Sequence, residues 1–304
     1  MMKNQTTNNG DRRRAVSRLR LTQKNAPYIF IAPMVILYAV FKFYPYVYSG
    51  WLSLTANQSG KQVFVGFANF KRLFSDELFW RALKNTFLIL IVQVPVMLIL
   101  AIALAVAFNS ALLKFRTIFR MGYFLPIIMG LVAYGILFKN ILDPQSGVLN
   151  YFLGLLHIPD VPWLTQPGWA RVSIILAMTW HYTGQNAVIY LAQLQSIPDE
   201  LYEAASVDGA NAWQRFKSVT IPGLRPAILL TTVLSTIGTL QLFDEPYVLT
   251  SGGPNNATLT IGMYLYMQGF KYFDFGYASA IGYALLVIVV ILSCIQFWIQ
   301  REKD

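Results

Sequence analysis

Long uncharged stretches divide this chain. No Asp, Glu, Lys or Arg occurs between Asn85 and Leu113, between Val172 and Pro198, or between Phe275 and Gln300. A helix needs about 20 predominantly apolar residues to cross a bilayer core. Read this way, the pattern predicts six membrane-spanning helices over 27–50, 85–108, 118–139, 171–195, 226–244 and 275–299. The stretch 246–270 is also uncharged, but Ser251-Gly252-Gly253-Pro254-Asn255-Asn256 interrupts it with turn-forming residues. Lipid would leave that backbone unsatisfied, so it reads as an outer loop followed by a short amphipathic helix. The expected class is an all-α integral membrane protein of about six spans. No repeat of 20–50 residues is visible, which excludes solenoids.

Composition supports this reading. Of 304 residues, 56% are hydrophobic and 12% charged, about half the charge of a soluble domain; the mean hydropathy is +0.48. The net charge of +10 does not point to nucleic acid, because many of the cations, Arg12, Arg13, Arg14, Arg18, Arg20 and Lys24, directly precede the first span. Positive charge beside a span holds that end in the cytoplasm and is drawn to anionic membrane lipid. With the N-terminus inside, cytoplasmic segments hold fifteen of the 24 Lys and Arg, including Lys114, Arg116, Arg120, Arg215, Lys217, Arg225, Arg301 and Lys303. Both termini are then cytoplasmic, with a basic tail over 1–26 and a transmembrane domain over 27–304. Lys42 lies inside the first run, where Tyr44, Tyr46, Tyr48 and Trp51 mark an interface to which it can snorkel. No Ala-x-Ala cleavage site follows, so an uncleaved first span is expected. The single cysteine, Cys294, excludes an internal disulfide and a thiolate metal cluster.

The loop between the fourth and fifth spans carries the most information. It runs from Ser196 through Glu203-Ala204-Ala205, Asp208-Gly209, Trp213 and Phe216 to Pro222 and Pro226. Ser196 and Asp199 resemble a helix start, and Tyr202, Ala205, Gly209, Trp213 and Phe216 follow helical spacing along one face. The acidic first half (Asp199, Glu200, Glu203, Asp208) opposes lying on anionic lipid. The small Ala204-Ala205 pair suits close packing against a partner protein, so docking is the favoured fate.

This segment resembles the EAA loop of binding-protein-dependent ABC import permeases. That pattern is Glu-Ala-Ala, three residues, Gly, nine residues, then Ile-x-Leu-Pro. Here Glu203-Ala204-Ala205, Gly209 and Val219-Thr220-Ile221-Pro222 match it with two apolar exchanges. Asp208, Ala210, Trp213, Phe216 and Pro226 are similar to the sugar-transporter branch. So are Val65-Gly66-Phe67-Ala68-Asn69-Phe70, Phe79 to Thr86, and Leu249-Thr250-Ser251-Gly252-Gly253-Pro254. The likeness is to the larger maltose permease subunit and the glycerol-phosphate permease A-type subunit; the large outer domain of that maltose subunit is absent.

The resemblance implies the type I ABC importer permease fold and a multi-pass location in the cytoplasmic membrane of a bacterium or archaeon. It implies a coupling helix in the 196–226 loop. There Glu203 meets a basic residue of an ATPase subunit, Ala204 and Ala205 allow tight packing, and Gly209 permits a bend. It further implies a second permease subunit forming a heterodimer, an ABC ATPase dimer that uses ATP and Mg, and an extracytoplasmic solute-binding protein. No cofactor is expected on this chain, which is a transport subunit and not an enzyme. Its only Gly-Lys pair, Gly60-Lys61, lacks the upstream Gly and the following Ser or Thr of a P-loop.

A sugar path calls for polar and aromatic residues inside apolar spans. Tyr182, Gln185 and Asn186 share a face of the fourth span, and Ser235 and Thr239 stand one turn apart on the fifth. These five are the candidate path residues for a mono- or oligosaccharide, or for a glycerol-phosphate-like solute. His157 and His181 lack the clustered carboxylates of a relay or metal site. The principal alternative, an ion-coupled secondary transporter, needs intramembrane carboxylates and an inverted repeat. Asp143, Asp160, Asp244, Glu245 and Asp274 read instead as loop residues.

Overall fold

A computed structural model describes residues 26–58, 60–109 and 116–301. The basic tail expected before the first span, together with Lys114 and Lys303, lies outside the described residues. The described residues form two compact units, divided between residues 51 and 52.

In the first unit, α1 (Ala26–Tyr38) runs through a five-residue π segment, Ala39–Phe43, into α2 (Tyr44–Ser53), whose last two residues belong to the second unit. None of the α1 side chains is buried. A helix that is apolar all round and uncovered by protein is suited to hydrocarbon as its solvent. Tyr44 and Tyr48 stack with ring centroids 6.0 Å apart, one turn along the helix face.

The second unit opens on a hairpin of β1 (Thr55–Gln58) and β2 (Lys61–Phe64), antiparallel with Thr55 opposite Phe64 and Gln58 opposite Lys61. Then come α3 (Ala68–Ser75) and the 33-residue α4 (Glu77–Asn109). Asp76 starts α4: its carboxylate accepts from the Leu78 and Phe79 N–H groups at 2.9 and 3.4 Å, satisfying donors the helix cannot pair itself. At 1.5 Å per residue α4 is about 50 Å long. It therefore extends beyond the predicted span at 85–108, with its first two turns outside a hydrocarbon core of about 30 Å.

The third predicted span is not one straight helix. It breaks at Met129–Gly130 into α5 (Arg116–Ile128) and α6 (Leu131–Ile141), whose axes bend by 108°. Pro126 lies in the last turn of α5, and extended Gly130 starts α6; a proline removes a backbone donor and favours such a break. After α7 (Val148–Leu155) comes α8 (Pro167–Leu194). Among the described residues four helices are long and apolar enough to cross a membrane, and five if the bent pair counts as one. The 28-residue α8, predicted as the fourth of six spans, is absent from those because its polar residues dilute its apolarity. Its burial explains how the polar face is tolerated: His181, Thr183 and Asn186 point into protein.

The 196–226 segment contains α9 (Asp199–Val207) and α10 (Ala212–Arg215), then a π segment, Phe216–Thr220, that continues into α11 (Ile221–Leu240). A second π segment, Pro246–Thr250, precedes the turn at 251–260. Helix α12 (Ile261–Tyr266), its π extension Met267–Lys271 and α13 (Phe275–Arg301) complete the chain. The predicted loop and short helix over 246–270 are thus present, with positive φ at Ser251, Gly252, Asn255 and Asn256. The end of the loop is not exposed, however. Thr258, Leu259, Thr260 and Ile261 are buried. The Asn85 amide donates to the Asn256 and Leu259 carbonyls at 2.8 and 3.0 Å, and Thr86 accepts from the Ile261 N–H.

Helices α4 and α8 form the centre. Met97, Ala101 and Ala105 of α4 pack with Ala187, Tyr190 and Leu191 of α8 and with Leu224 and Ala227 of α11. Small residues at such crossings let backbones approach closely, which drives helix association in lipid. Gly184 is the tightest case, since a Cβ there would collide with the Tyr123 carbonyl oxygen of α5. A second cluster joins Phe79 and Ala82 to Ile261, Tyr264, Tyr277 and Ile281. At its edge Asp76 accepts from the Tyr264 and Tyr277 hydroxyls, both at 2.5 Å. Burial alone would raise the Asp76 pKa, but these phenols and the two helix N–H groups outweigh it and hold the carboxyl below its usual range. Burial and the neighbouring Asp76 push Tyr264 up to about 12, keeping it a donor.

Candidate functional site

Two features are borne on α8 and α11, one between the helices and one in the loop that joins them. The first is a cavity of about 200 Å³ walled by α4, α8 and α11. Tyr182, Gln185 and Asn186 reach it from α8, and Ser235 and Thr239 from α11, so the five candidate path residues meet around one space. Helical geometry explains the convergence, because positions three and four apart share a face. Met97, Met178, Ile189 and Leu234 supply apolar wall, and none of the lining residues is charged.

Gln93 also lines this cavity and was missed from the sequence. It is buried on α4, accepts from Thr239 Oγ1 at 3.4 Å and donates to Met97 Sδ at 3.3 Å. The signal was present: a lone amide in the middle of an uncharged span requires a partner. Asn186 donates to the Tyr182 carbonyl at 3.0 Å and to Met97 Sδ at 3.5 Å, which leaves its carbonyl oxygen able to accept.

The second feature is the 196–226 loop, whose local structure departs from the single helical face expected of it. Pro198 precedes the first helix residue, Asp199, and Ser196 does not cap; its hydroxyl donates to the Gln193 carbonyl at 2.7 Å. After Val207 the chain turns left-handed at Gly209, φ +82°. Gly209 N–H donates to the Ser206 carbonyl at 3.1 Å and Ala210 N–H to the Ala205 carbonyl at 2.9 Å, the paired bonds of a Schellman ending. Asn211 then starts α10 with a reciprocal capping box: its side chain accepts from Gln214 N–H at 2.9 Å, and its own N–H donates to Gln214 Oε1 at 2.7 Å. The Asn-x-x-Gln spacing is the sequence signature of this box.

The two short helices are braced together. Arg215 donates to Ser206 Oγ at 2.7 Å, and the Tyr202 and Thr220 hydroxyls lie 3.1 Å apart. Tyr202 and Val219 also pack against the α4–α8–α11 core. Glu203, Ala204, Asp208, Gly209, Trp213 and Pro222 are exposed, whereas Ala205 and Phe216 are half-buried. Three apolar side chains are left open to solvent: Leu201 at 52%, Val207 at 89% and Trp213 at 70%. Trp213 stacks on Phe216 at 5.4 Å, which stiffens the exposed edge.

One buried carboxylate corrects the sequence reading. Glu245, expected in a loop, stands between α11 and the Pro246–Thr250 segment, but it is buried and accepts a short hydrogen bond from the Tyr134 hydroxyl of α6. The His181 ring stacks on Tyr134 at 4.2 Å, joining α6, α8 and the Glu245 turn. No group of three or more His, Cys, Asp or Glu suited to a metal occurs among the described residues.

Comparison with known proteins places this geometry. The family described as binding-protein-dependent transport system inner membrane component matches residues 77–303. The lactose transport system permease protein LacF of Rhizobium radiobacter is 44% identical over 280 residues, covering 91% of this chain and 94% of that protein. The arabinooligosaccharides transport system permease protein AraP of Bacillus subtilis is 37% identical, covering 90% and 88%. Among solved structures, a bacterial ABC transporter involved in import of the acidic polysaccharide alginate superposes with a TM-score of 0.81 at 28% identity, covering 92% of this chain and 96% of that one. The alginate transporter in complex with an alginate pentasaccharide-bound periplasmic protein gives 0.80 at 26% identity, with the same coverage.

Proposed function

The chain belongs to the family of binding-protein-dependent transport system inner membrane components, and from that premise we propose that it forms half of the path by which a neutral oligosaccharide enters the cell. Its family consists of multi-pass membrane transport subunits of ABC importers, not enzymes. The lactose and arabino-oligosaccharide permeases among its relatives support a carbohydrate cargo. One observation carries the reading: a cavity with amides, hydroxyls and Tyr182 but no charged lining is borne on α8 and α11, the helices that bracket an exposed loop.

The chemistry fits that division of labour. Sugar hydroxyls need both donors and acceptors, which Gln93, Gln185, Asn186, Ser235 and Thr239 supply, and a sugar ring packs on an aromatic face such as Tyr182. In the loop the open Leu201, Val207 and Trp213 are suited to a cleft in an ATPase subunit, with Glu203 placed to meet a cation there. ATP and Mg are used on that partner. Closure of the ATPase dimer would press on α9 and α10, and the Schellman turn and bracing bonds would pass the movement into α8 and α11. A second permease subunit supplies the other wall. An extracytoplasmic solute-binding protein delivers cargo, as supported by the periplasmic protein held by the alginate transporter.

Uptake of labelled oligosaccharides into ATP-loaded proteoliposomes of the whole transporter tests the cargo. Gln185→Leu and Asn186→Leu are expected to raise the half-saturating sugar concentration about fivefold each, the value of one hydrogen bond of about 1 kcal/mol. An anionic sugar taken up in preference to neutral ones, or full transport by the double variant, would contradict the assignment.

A further inference from the structure

A second cleft, of about 440 Å³, opens at the end of α8 remote from the 196–226 loop. Arg81 and Lys84 project into it from the first turns of α4, Arg171 from the start of α8, and Trp80 and Asn255 flank them. Arg171 and the last residue of α8 are separated by about 35 Å of helix. Whichever membrane face the loop presents to an ATPase, this cleft therefore faces the opposite one.

The cleft is cationic and built. Arg171 is held by donating Nε–H to the Ala257 carbonyl at 2.9 Å and Nη2–H to Asn85 Oδ1 at 3.2 Å. Asn85 is itself buried and committed to the Asn256 and Leu259 carbonyls. Arg81 and Lys84 lie three residues apart on one helix face. No carboxylate is among the residues that line the cleft, and the one ion pair among the described residues, Arg72 with Asp274, lies outside that lining. Three like charges gathered in a lining without an acid repel one another, and a partner that supplies the opposite sign relieves that repulsion. A transported anion is a poor candidate, because the cavity further along α4 and α8 has no charged lining to receive it. Buried Ile89, Ile174, Met178 and Leu242 also pack between the two spaces. The cleft is thus better suited to recognition than to passage. Exposed Trp80 beside two arginines is the composition of a protein-recognition hot spot.

We propose that the Arg81–Lys84–Arg171 cleft is the docking point on this chain for carboxylate side chains of the solute-binding protein, a refinement that rests on the importer function proposed above. Complementary charge would steer the encounter and fix the register of the docked lobe, with its main effect on association rate and salt dependence.

The test uses the complete transporter in nanodiscs of phosphatidylcholine and the solute-binding protein that is recovered with it, reading ATPase stimulation against binding-protein concentration. The Arg81→Glu/Lys84→Glu pair is expected to raise the half-maximal concentration at least tenfold, with the shift in that concentration rather than in the plateau. Arg81→Lys/Lys84→Arg should stay near wild type, and Arg81→Gln/Lys84→Gln should fall between and lose part of the wild-type salt dependence. Equal titrations for wild type and the reversed pair would overturn the docking point alone. A shift seen only when phosphatidylglycerol is added would overturn it in favour of a lipid headgroup. A wild-type transporter that no binding protein stimulates would instead overturn the importer reading on which it rests.

Discussion

Gly209 shows how much one backbone position carries. Its φ of +82° ends α9 and turns the chain into α10. A residue with a Cβ pays about 1–2 kcal/mol in this region, most for β-branched side chains and least for Asn. Gly209→Asn should retain most ATP-driven uptake, Gly209→Ala less, and Gly209→Val almost none, each at equal protein level in the membrane. A Val variant as active as wild type would show that the turn does not transmit the movement. Asp76 gives a pH prediction at the same scale. Its folded pKa is depressed, so its contribution to stability is present above the unfolded carboxyl value of about 3.9 and fades as pH falls through the lower folded value. Thermal melting of the detergent-solubilised protein should fall more steeply below about pH 4 in wild type than in Asp76→Asn. Parallel acid profiles would count against the Tyr264–Asp76–Tyr277 arrangement.

At the scale of elements, the crossing of α5 and α8 depends on Gly184, where backbone meets backbone. Gly184→Val should lower stability by several kcal/mol, beyond the about 1–3 kcal/mol usual for an overfilled core, because a carbonyl cannot move aside as a side chain can. A melting temperature within a degree of wild type would place the crossing elsewhere. Hydrophobic runs made α1–α2, α4, α11 and α13 legible in the sequence, since apolarity is the quantity the bilayer selects. They could not reveal the 108° break between α5 and α6, because Pro126 and Gly130 occur in straight spans as well as broken ones. The hairpin of β1 and β2 went unseen for a related reason, being too short and polar to leave a period. Helical spacing on α8 and α11 brought out five cavity residues. The lone amide of Gln93 signals a partner but does not say on which helix that partner lies, and the burial of Glu245 depends on Tyr134, more than a hundred residues away.

Under the function proposed above, the second unit works as a lever. The central α4–α8–α11 packing connects a polar cavity with a braced loop, and the exposed Leu201, Val207 and Trp213 are the side chains that the proposed partner would cover. Burial of three such side chains in a partner cleft is worth about 1.5–3 kcal/mol each at full coverage. The most direct test of the account is purification of the tagged chain from its native membrane in mild detergent, with quantitative mass spectrometry of what accompanies it. The account predicts a second permease and a P-loop ATPase in fixed stoichiometry with the wild-type chain. The ATPase should be lost, and the second permease kept, in Glu203→Arg and Gly209→Val. A chain that purifies alone and still accumulates sugar in ATP-depleted, energised vesicles would contradict it.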